Sequence, residues 1–309
     1  MDDLPTVAIC ICTYRRPRWL TYLLESIDAQ AFEGEPPTID VIVVDNDPDF
    51  SARETVAGVG IRWPVRLVHE PRGGISHARN ASVEAVGAGT EWIAFIDDDE
   101  YADPGWLDAL LACQRAYGCD AVAGPVIAEL PDGAPRWVAR GGFFDRDRFE
   151  TGTRRDRAYT NNTLVRAPIL KSMAPAFDES RAFRGGEDTL LFRRIHALGH
   201  EIRWCDEAVV HERIPASRAR AEWILRRAYR IGTNTALHER TLRGAAMGRA
   251  RTLALAAVRA AQGATLLLPS LFLGTHAVVR QLRWIAYAAG LFAGTIGISY
   301  EEYRKNRPG

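Results

Sequence analysis

The chain is poor in cysteine: it has five in 309 residues, an odd number, with no C-x-x-C pair and no zinc-like spacing. That excludes a disulfide framework and a structural zinc site, and all five are expected to be reduced, as in a cytosolic protein. Net charge is also lacking. The 39 Lys and Arg balance 39 Asp and Glu, so bulk electrostatics gives no reason to expect a nucleic-acid partner. The opening stretch, MDDLPTVAIC, has no basic segment followed by an apolar one, so no secretion signal is expected there. What is present is a normal globular balance, 47% hydrophobic and 25% charged, with length for one large or two ordinary domains.

Strand and helix patterns alternate along the first third. Residues 6–12 read as a buried strand, and after the loop TYRRP the residues Trp19, Leu20, Leu23, Leu24 and Ile27 recur at helical spacing. IDVIVVDND reads as a second strand, SARETVAGVG as a helix and VRLVHE as a third strand. GGISHARNASVEAVGAG reads as a glycine loop opening a helix that buries Ala78, Ala81, Ala85 and Val86. This alternation implies an α/β class with a mostly parallel sheet flanked by helices, in which ligands bind beyond the carboxyl ends of the strands. Those ends carry the polar clusters TYRR, DNDPD, HEPRGG and DDDE. Further on, Asp103-Pro104 reads as a helix cap, and residues 120–165 as a sheet extension plus a loop near the site. A helix from about Glu187 is expected to bury Leu190, Leu191, Ile195 and Leu198, and EIRWCDEAVVHE reads as one strand ending at His211.

From 211 to 260 eleven arginines face three glutamates. Two uncharged runs follow, 260–279 and 284–300, separated by the arginine-bearing RQLR. If both spanned a membrane, those two arginines would lie opposite the basic flank, against the positive-inside tendency. The expectation is therefore a re-entrant or interfacial hairpin on the cytoplasmic leaflet, with two core helices as the alternative.

The stretch IAFIDDDE drives a buried strand into adjacent acids, Asp97, Asp98, Asp99 and Glu100. Their repulsion raises one another's pKa unless a cation compensates, and a hard divalent ion such as Mg²⁺ or Mn²⁺ takes such oxygens together with substrate phosphates. Along an extended chain Asp97 and Asp99 share a face and Asp98 points away; a solvated turn is the bland alternative.

TYRRP after the first strand, VVDND, ARN after a glycine loop, FIDDDE and then GGED follow in order over roughly residues 5–235. Together they resemble the family 2 glycosyltransferases of bacterial polysaccharide assembly. The resemblance implies a GT-A fold, with a Rossmann-like sheet, for a catalytic domain at 1–235, and a basic, hydrophobic helical extension at 236–309. It also implies inverting transfer from a nucleotide-diphosphate sugar to a glycan or lipid-linked acceptor, with Mg²⁺ or Mn²⁺. Carried over by position, Thr13 and Tyr14 border the nucleotide base, Asp45 accepts a hydrogen bond from it, and Arg79 contacts base or diphosphate. Asp97 approaches ribose or donor sugar and Asp99 ligates the metal. The register is left open between Asp97/Asp99 and Asp98/Glu100, so Asp98 stays among the donor-binding residues. Asp188 is the general base with Glu187 alongside, and His211 is a further metal ligand.

Each assignment has a plainer competitor. Thr13 and Tyr14 could form only a turn, Asp45 could cap its own loop, and Arg79 could pair with a carboxylate. Glu187 and Asp188 could merely complement a helix dipole. Competing functions are a nucleotidyltransferase, which would want glycines directly after the first strand, and a non-catalytic membrane-anchored scaffold.

Overall fold

The computed structural model describes residues 4–183 and 185–298. The first strands and helices follow the hydrophobic periodicity: β1 (Thr6–Thr13), α1 (Pro17–Asp28), β2 (Thr38–Asp45), α2 (Arg53–Gly58), β3 (Val65–His69), α3 (Ile75–Ala85) and β4 (Trp92–Ile96). Next come β5 (Glu100–Ala102), α4 (Trp106–Tyr117), β6 (Ala121–Ala123), β7 (Val126–Glu129), α5 (Arg136–Gly141), β8 (Arg154–Arg155), β9 (Asn162–Arg166) and α6 (Ala167–Ser172). The chain ends with α7 (Glu187–Ala197), β10 (Ile202–Trp204), β11 (Val210–Arg213), α8 (Ala221–Arg243), α9 (Ala245–Ser270) and α10 (Thr275–Thr295).

Eight strands form one sheet in the order β3-β2-β1-β4-β9-β6-β10-β8. The first four are parallel, and β9 runs antiparallel to both neighbours. Alternation along β1 divides the core: Val7, Ile9 and Ile11 join the side chains of α1 and α4, while Ala8 and Cys10 join those of α3, α6 and α7. Strands covered on both faces must be apolar throughout, which is why they carry no polar alternation. All five cysteines are free.

The chain divides into two compact units, Met1–Ile127 with Arg146–Glu212, and Ala128–Asp145 with Arg213–Gly309. Residue 235, the expected domain boundary, falls inside the unbroken helix α8.

Four local expectations are corrected. EIRWCDEAVVHE is two strands: β10 belongs to the large sheet, whereas β11 pairs with β5 and sets His211 opposite Tyr101. Asp103 does not cap α4 with its side chain; its carbonyl accepts from Trp106 and its carboxylate turns to His211. On α7 the buried apolar side chains are Leu191, Phe192 and Ile195; Leu190 is half-buried, and Leu198, just past the helix end, is 61% exposed. The run 260–279 is not one helix, because the chain turns at 271–274 and RQLR lies inside α10. The second run, from Trp284, has one buried side: Ala288, Gly290, Leu291, Ala293 and Gly294 are buried, Phe292, Ile296 and Ile298 are exposed, and Gly290 lets α10 approach the backbone of Tyr229 in α8.

Candidate active site

The chain leaves β1 toward β2 and β3 on one side and returns as β4 on the other. Strand order therefore reverses between β1 and β4, and at such a point a crevice opens at the carboxyl ends. Thr13, the last residue of β1, spans it: its Oγ1 donates to Asp98 Oδ2 at 2.8 Å. Arg16, from the same loop, donates to Asp98 Oδ1 at 2.7 Å and stands 3.1 Å from Asp99 Oδ2.

Asp97, Asp98 and Asp99 lie in the turn between β4 and β5, and Glu100 opens β5. β4 stops at Ile96, and the amide of Glu100 donates to the carbonyl of Asp97 at 3.1 Å. The buried carboxylate of Glu100 reaches back to the Asp97 amide with Oε2 and accepts from Asn161 with Oε1. Two-residue alternation has no force in a turn, so the expected arrangement of Asp97 and Asp99 inward with Asp98 turned away is corrected. Asp98 is the most enclosed of the three and faces Thr13 and Arg16, and Glu100 holds the turn in shape.

Arg79 is the second cation of the site. Buried in α3, it donates to Asp97 Oδ1 at 3.2 Å and pairs with Glu187 at the start of α7. ARN, DDDE and GGED thus meet on one guanidinium. Gly185 and Gly186 lead into α7 at φ 75° and 79°, a left-handed pair that a side chain would strain. Asp188 follows, half-buried, with Oδ1 accepting from the Thr189 amide at 2.6 Å.

The remaining candidates sit around this centre. Both carboxylate oxygens of Asp45 accept loop amides, from Asp47 at 2.9 Å and Ala52 at 2.6 Å, so Asp45 shapes its loop from within. Arg15, at φ 54°, lies over the Tyr14 ring and bonds Asp47 and Asp49, tying the first loop to the second. Asn46 reaches the third loop through the carbonyls of Glu70 and Arg72 and the amide of Gly74. Gly74 sits against Ala182, where an added Cβ would come within 2.6 Å of the alanine methyl. His211 stacks on Tyr101 at 4.8 Å, and its Nε2 lies 3.0 Å from Asp103 Oδ1.

Residues 8–172 match the family described as Glycosyl transferase family 2. The succinoglycan biosynthesis protein ExoM of Rhizobium meliloti is 35% identical over 96% of this chain and 95% of its own length. The chain belongs to the family 2 glycosyltransferases. A galactofuranosyltransferase of Mycobacterium tuberculosis is 28% identical over 67% of this chain and 70% of its own. The fold is shared with S. aureus TarS 1-349, crystallised in complex with UDP, at TM-score 0.52 and 16% identity over 98% of each chain.

In this family 2 glycosyltransferase, sequence reasoning missed Arg16 and the pair Arg146–Glu212 beside Glu100. Arg16 stood in plain view in TYRRP, but its partners lie 82 and 83 positions away; Arg146 has no local signal at all. Among the described residues Arg16 pairs with Asp98 and Asp99, and Arg79 with Asp97 and Glu187. The hard carboxylate oxygens of this cluster suit the divalent cation the family implies. Among the described residues no three His, Cys, Asp or Glu side chains are gathered to hold a metal alone. A cation here would rest on one or two carboxylates and be completed by phosphate oxygens.

Burial pushes Asp98 up to about 6 against the pull of Arg16. Burial likewise pushes Glu187 up to about 7; Arg79 opposes this and Asp188 adds to it. Because the folded pKa of Glu187 exceeds its unfolded value, the native state holds the extra proton, so stability falls as pH rises from about 4.5 to about 7. The expected result is a ligand-free thermal midpoint lower at pH 8 than at pH 5 by about 3 °C or more. Glu187→Gln should remove most of that difference; an unchanged difference in the variant would assign it to other groups.

Proposed function

We propose that the protein transfers one sugar, with inversion, from a nucleotide-diphosphate sugar to a lipid-linked glycan in exopolysaccharide assembly. Arg79 carries the reading. One buried guanidinium joins the acids at the donor end of β4 to the acid pair opening α7, so donor phosphates and acceptor hydroxyl would meet within one crevice. Asp188 takes the acceptor proton during in-line attack on the anomeric carbon, which a hydroxyl needs because it is a poor nucleophile. Glu187, fully enclosed and paired with Arg79, orients that base.

Thr13, Tyr14 and the Asp45-shaped loop border the base, and Arg16 together with Asp97 and Asp98 receives ribose and diphosphate. Mg²⁺ or Mn²⁺ on Asp99, shared with Asp97, would supply Lewis-acid stabilisation to the departing diphosphate. His211 is left out of that shell, since its Nε2 is engaged by Asp103. The exopolysaccharide assignment is supported by the relative named for succinoglycan biosynthesis, and a uridine donor by the TarS complexes with UDP and UDP-GlcNAc. A membrane-surface location on the cytoplasmic leaflet is supported by α9, the one described helix long and apolar enough to cross a membrane, and by its arginine-rich flank.

A panel of radiolabelled nucleotide sugars with lipid-linked glycan extract tests the reading. Release of nucleoside diphosphate without pyrophosphate, and product of inverted anomeric configuration, is expected. Pyrophosphate release would move the protein to the nucleotidyltransferases, and no donor consumption at all to the scaffold reading.

The metal has a separate test. A matching nucleoside diphosphate with Mn²⁺ at a hundredfold excess over Kd should stabilise the fold by about 2.7 kcal/mol. Asp99→Ala should abolish the Mn²⁺-dependent part of that shift and leave the midpoint of the free protein nearly unchanged. If it does not, the cation lies elsewhere.

A further inference from the structure

α9 and α10 are joined by a turn whose side chains face solvent: Leu268 is 72%, Leu271 60%, Phe272 91% and Leu273 64% exposed. Four large apolar side chains at one turn are a surface in search of a cover. The helix segments flanking them have one sign of charge. Between residues 252 and 298 there are three arginines, Arg259, Arg280 and Arg283, and no aspartate or glutamate. Behind the turn, Arg140 and Arg280 lie around His276, and Arg259 and Arg283 lie 4.2 and 5.3 Å from the Trp284 ring.

We propose that the α9–α10 turn inserts Leu268, Leu271, Phe272 and Leu273 into the outer part of an anionic bilayer leaflet, with this arginine collar and Trp284 at the headgroups. The proposal rests on the membrane-surface reading above and specifies the contact. Insertion is shallow because both limbs meet an arginine early. Ser270 lies eleven positions beyond Arg259, about 16 Å of helix, and Arg280 six positions beyond Gly274, about 9 Å. Neither approaches the roughly 30 Å of a hydrocarbon core, whereas interfacial elements bury their apolar face by about 5–10 Å. Past Arg283, α10 buries Ala288, Gly290, Leu291, Ala293 and Gly294, with Gly290 against the Tyr229 backbone of α8, while Phe292 stays 55% exposed. A second copy of the chain fits the tip poorly, since a stable interface takes about 20–30 residues from each side. An anionic headgroup layer complements the charge directly, each nearby arginine adding attraction that salt weakens.

Vesicle flotation of the full chain tests this with phosphatidylcholine vesicles, with and without 30% phosphatidylglycerol. Wild type should float with the anionic vesicles and lose most of that binding with neutral ones. The double variant Phe272→Asp and Leu273→Asp should partition at least about tenfold more weakly. Its thermal midpoint and donor turnover should stay unchanged, because both side chains are exposed. Phe272→Trp keeps the tip apolar, and its added emission should shift to the blue on anionic vesicles and be quenched by brominated lipid.

Flotation of the double variant at the wild-type level overturns the proposal. So does a tryptophan at 272 that brominated lipid does not quench, or a double variant that merely turns a dimer into a monomer in light scattering. None of these readouts depends on sugar transfer, so the proposal and the catalytic reading fail separately.

Discussion

Asp188→Asn should leave the protein folded and able to bind donor, and should lower kcat by about 10²–10⁴, the usual worth of a positioned general base, if Asp188 takes the acceptor proton as proposed. The physical reason lies in the division of labour at the start of α7. Asp188 is half-buried, with Oδ1 held by the Thr189 amide and hydroxyl, so Oδ2 is the oxygen available to a proton. Asparagine keeps the shape and the hydrogen-bond acceptor but cannot take the proton. Donor KM should therefore change little while turnover collapses, and the thermal midpoint should stay within about 2 °C. A variant that retains more than about a tenth of wild-type kcat would remove Asp188 from the base role and turn attention to Glu187, whose raised pKa also suits proton transfer near neutrality.

Arg79→Met should cost about 3–5 kcal/mol, because removing one member of a buried ion pair leaves the other charged group without compensation. Here the enclosed Glu187 is stranded and the Asp97 carboxylate, 39% exposed, is left to solvent, and the midpoint should fall by about 10 °C. Transfer should vanish as well. The double variant Arg79→Met with Glu187→Gln separates the two effects. Neutralising the stranded acid should restore more than half of the lost stability, yet transfer should not return, since the α7 acids and the β4 turn are no longer tied together. If Arg79→Met alone melts like wild type, the guanidinium is not the link between donor and acceptor halves of the crevice.

Much of this site was legible because its parts are local patterns. β4 had to be buried because WIAFI has no polar residue to face water, and the acids after it had to fall at a carboxyl edge. The glycine pair before Glu187 announced a special backbone, and both glycines are left-handed. Two kinds of error have a common cause. Extending the strand's alternation into Asp97–Asp99 failed because the chain turns there, closed by the amide and carboxylate of Glu100. Reading 260–279 as one segment failed because an absence of charge does not report where a helix ends. Pro269 sits in the last turn of α9, and Gly274, at φ 97°, precedes α10.

By itself the sequence determined the α/β class, the order of strands and helices through α3, and which acids stand at the carboxyl edge. Periodicity, turn residues and strand length act within a few positions, so they can be read from the chain alone. Only the tertiary structure decided which charge meets which. Thr13 finds Asp98 across 85 positions and Arg79 finds Glu187 across 108, and no local rule selects a partner at that separation. Tertiary structure also decided that Asp45 accepts the amides of its own loop, that His211 turns to Asp103, and that the apolar tip of the α9–α10 turn stays outside while one side of α10 is buried. In each case burial is set by what packs opposite, which hydrophobicity along the chain does not record.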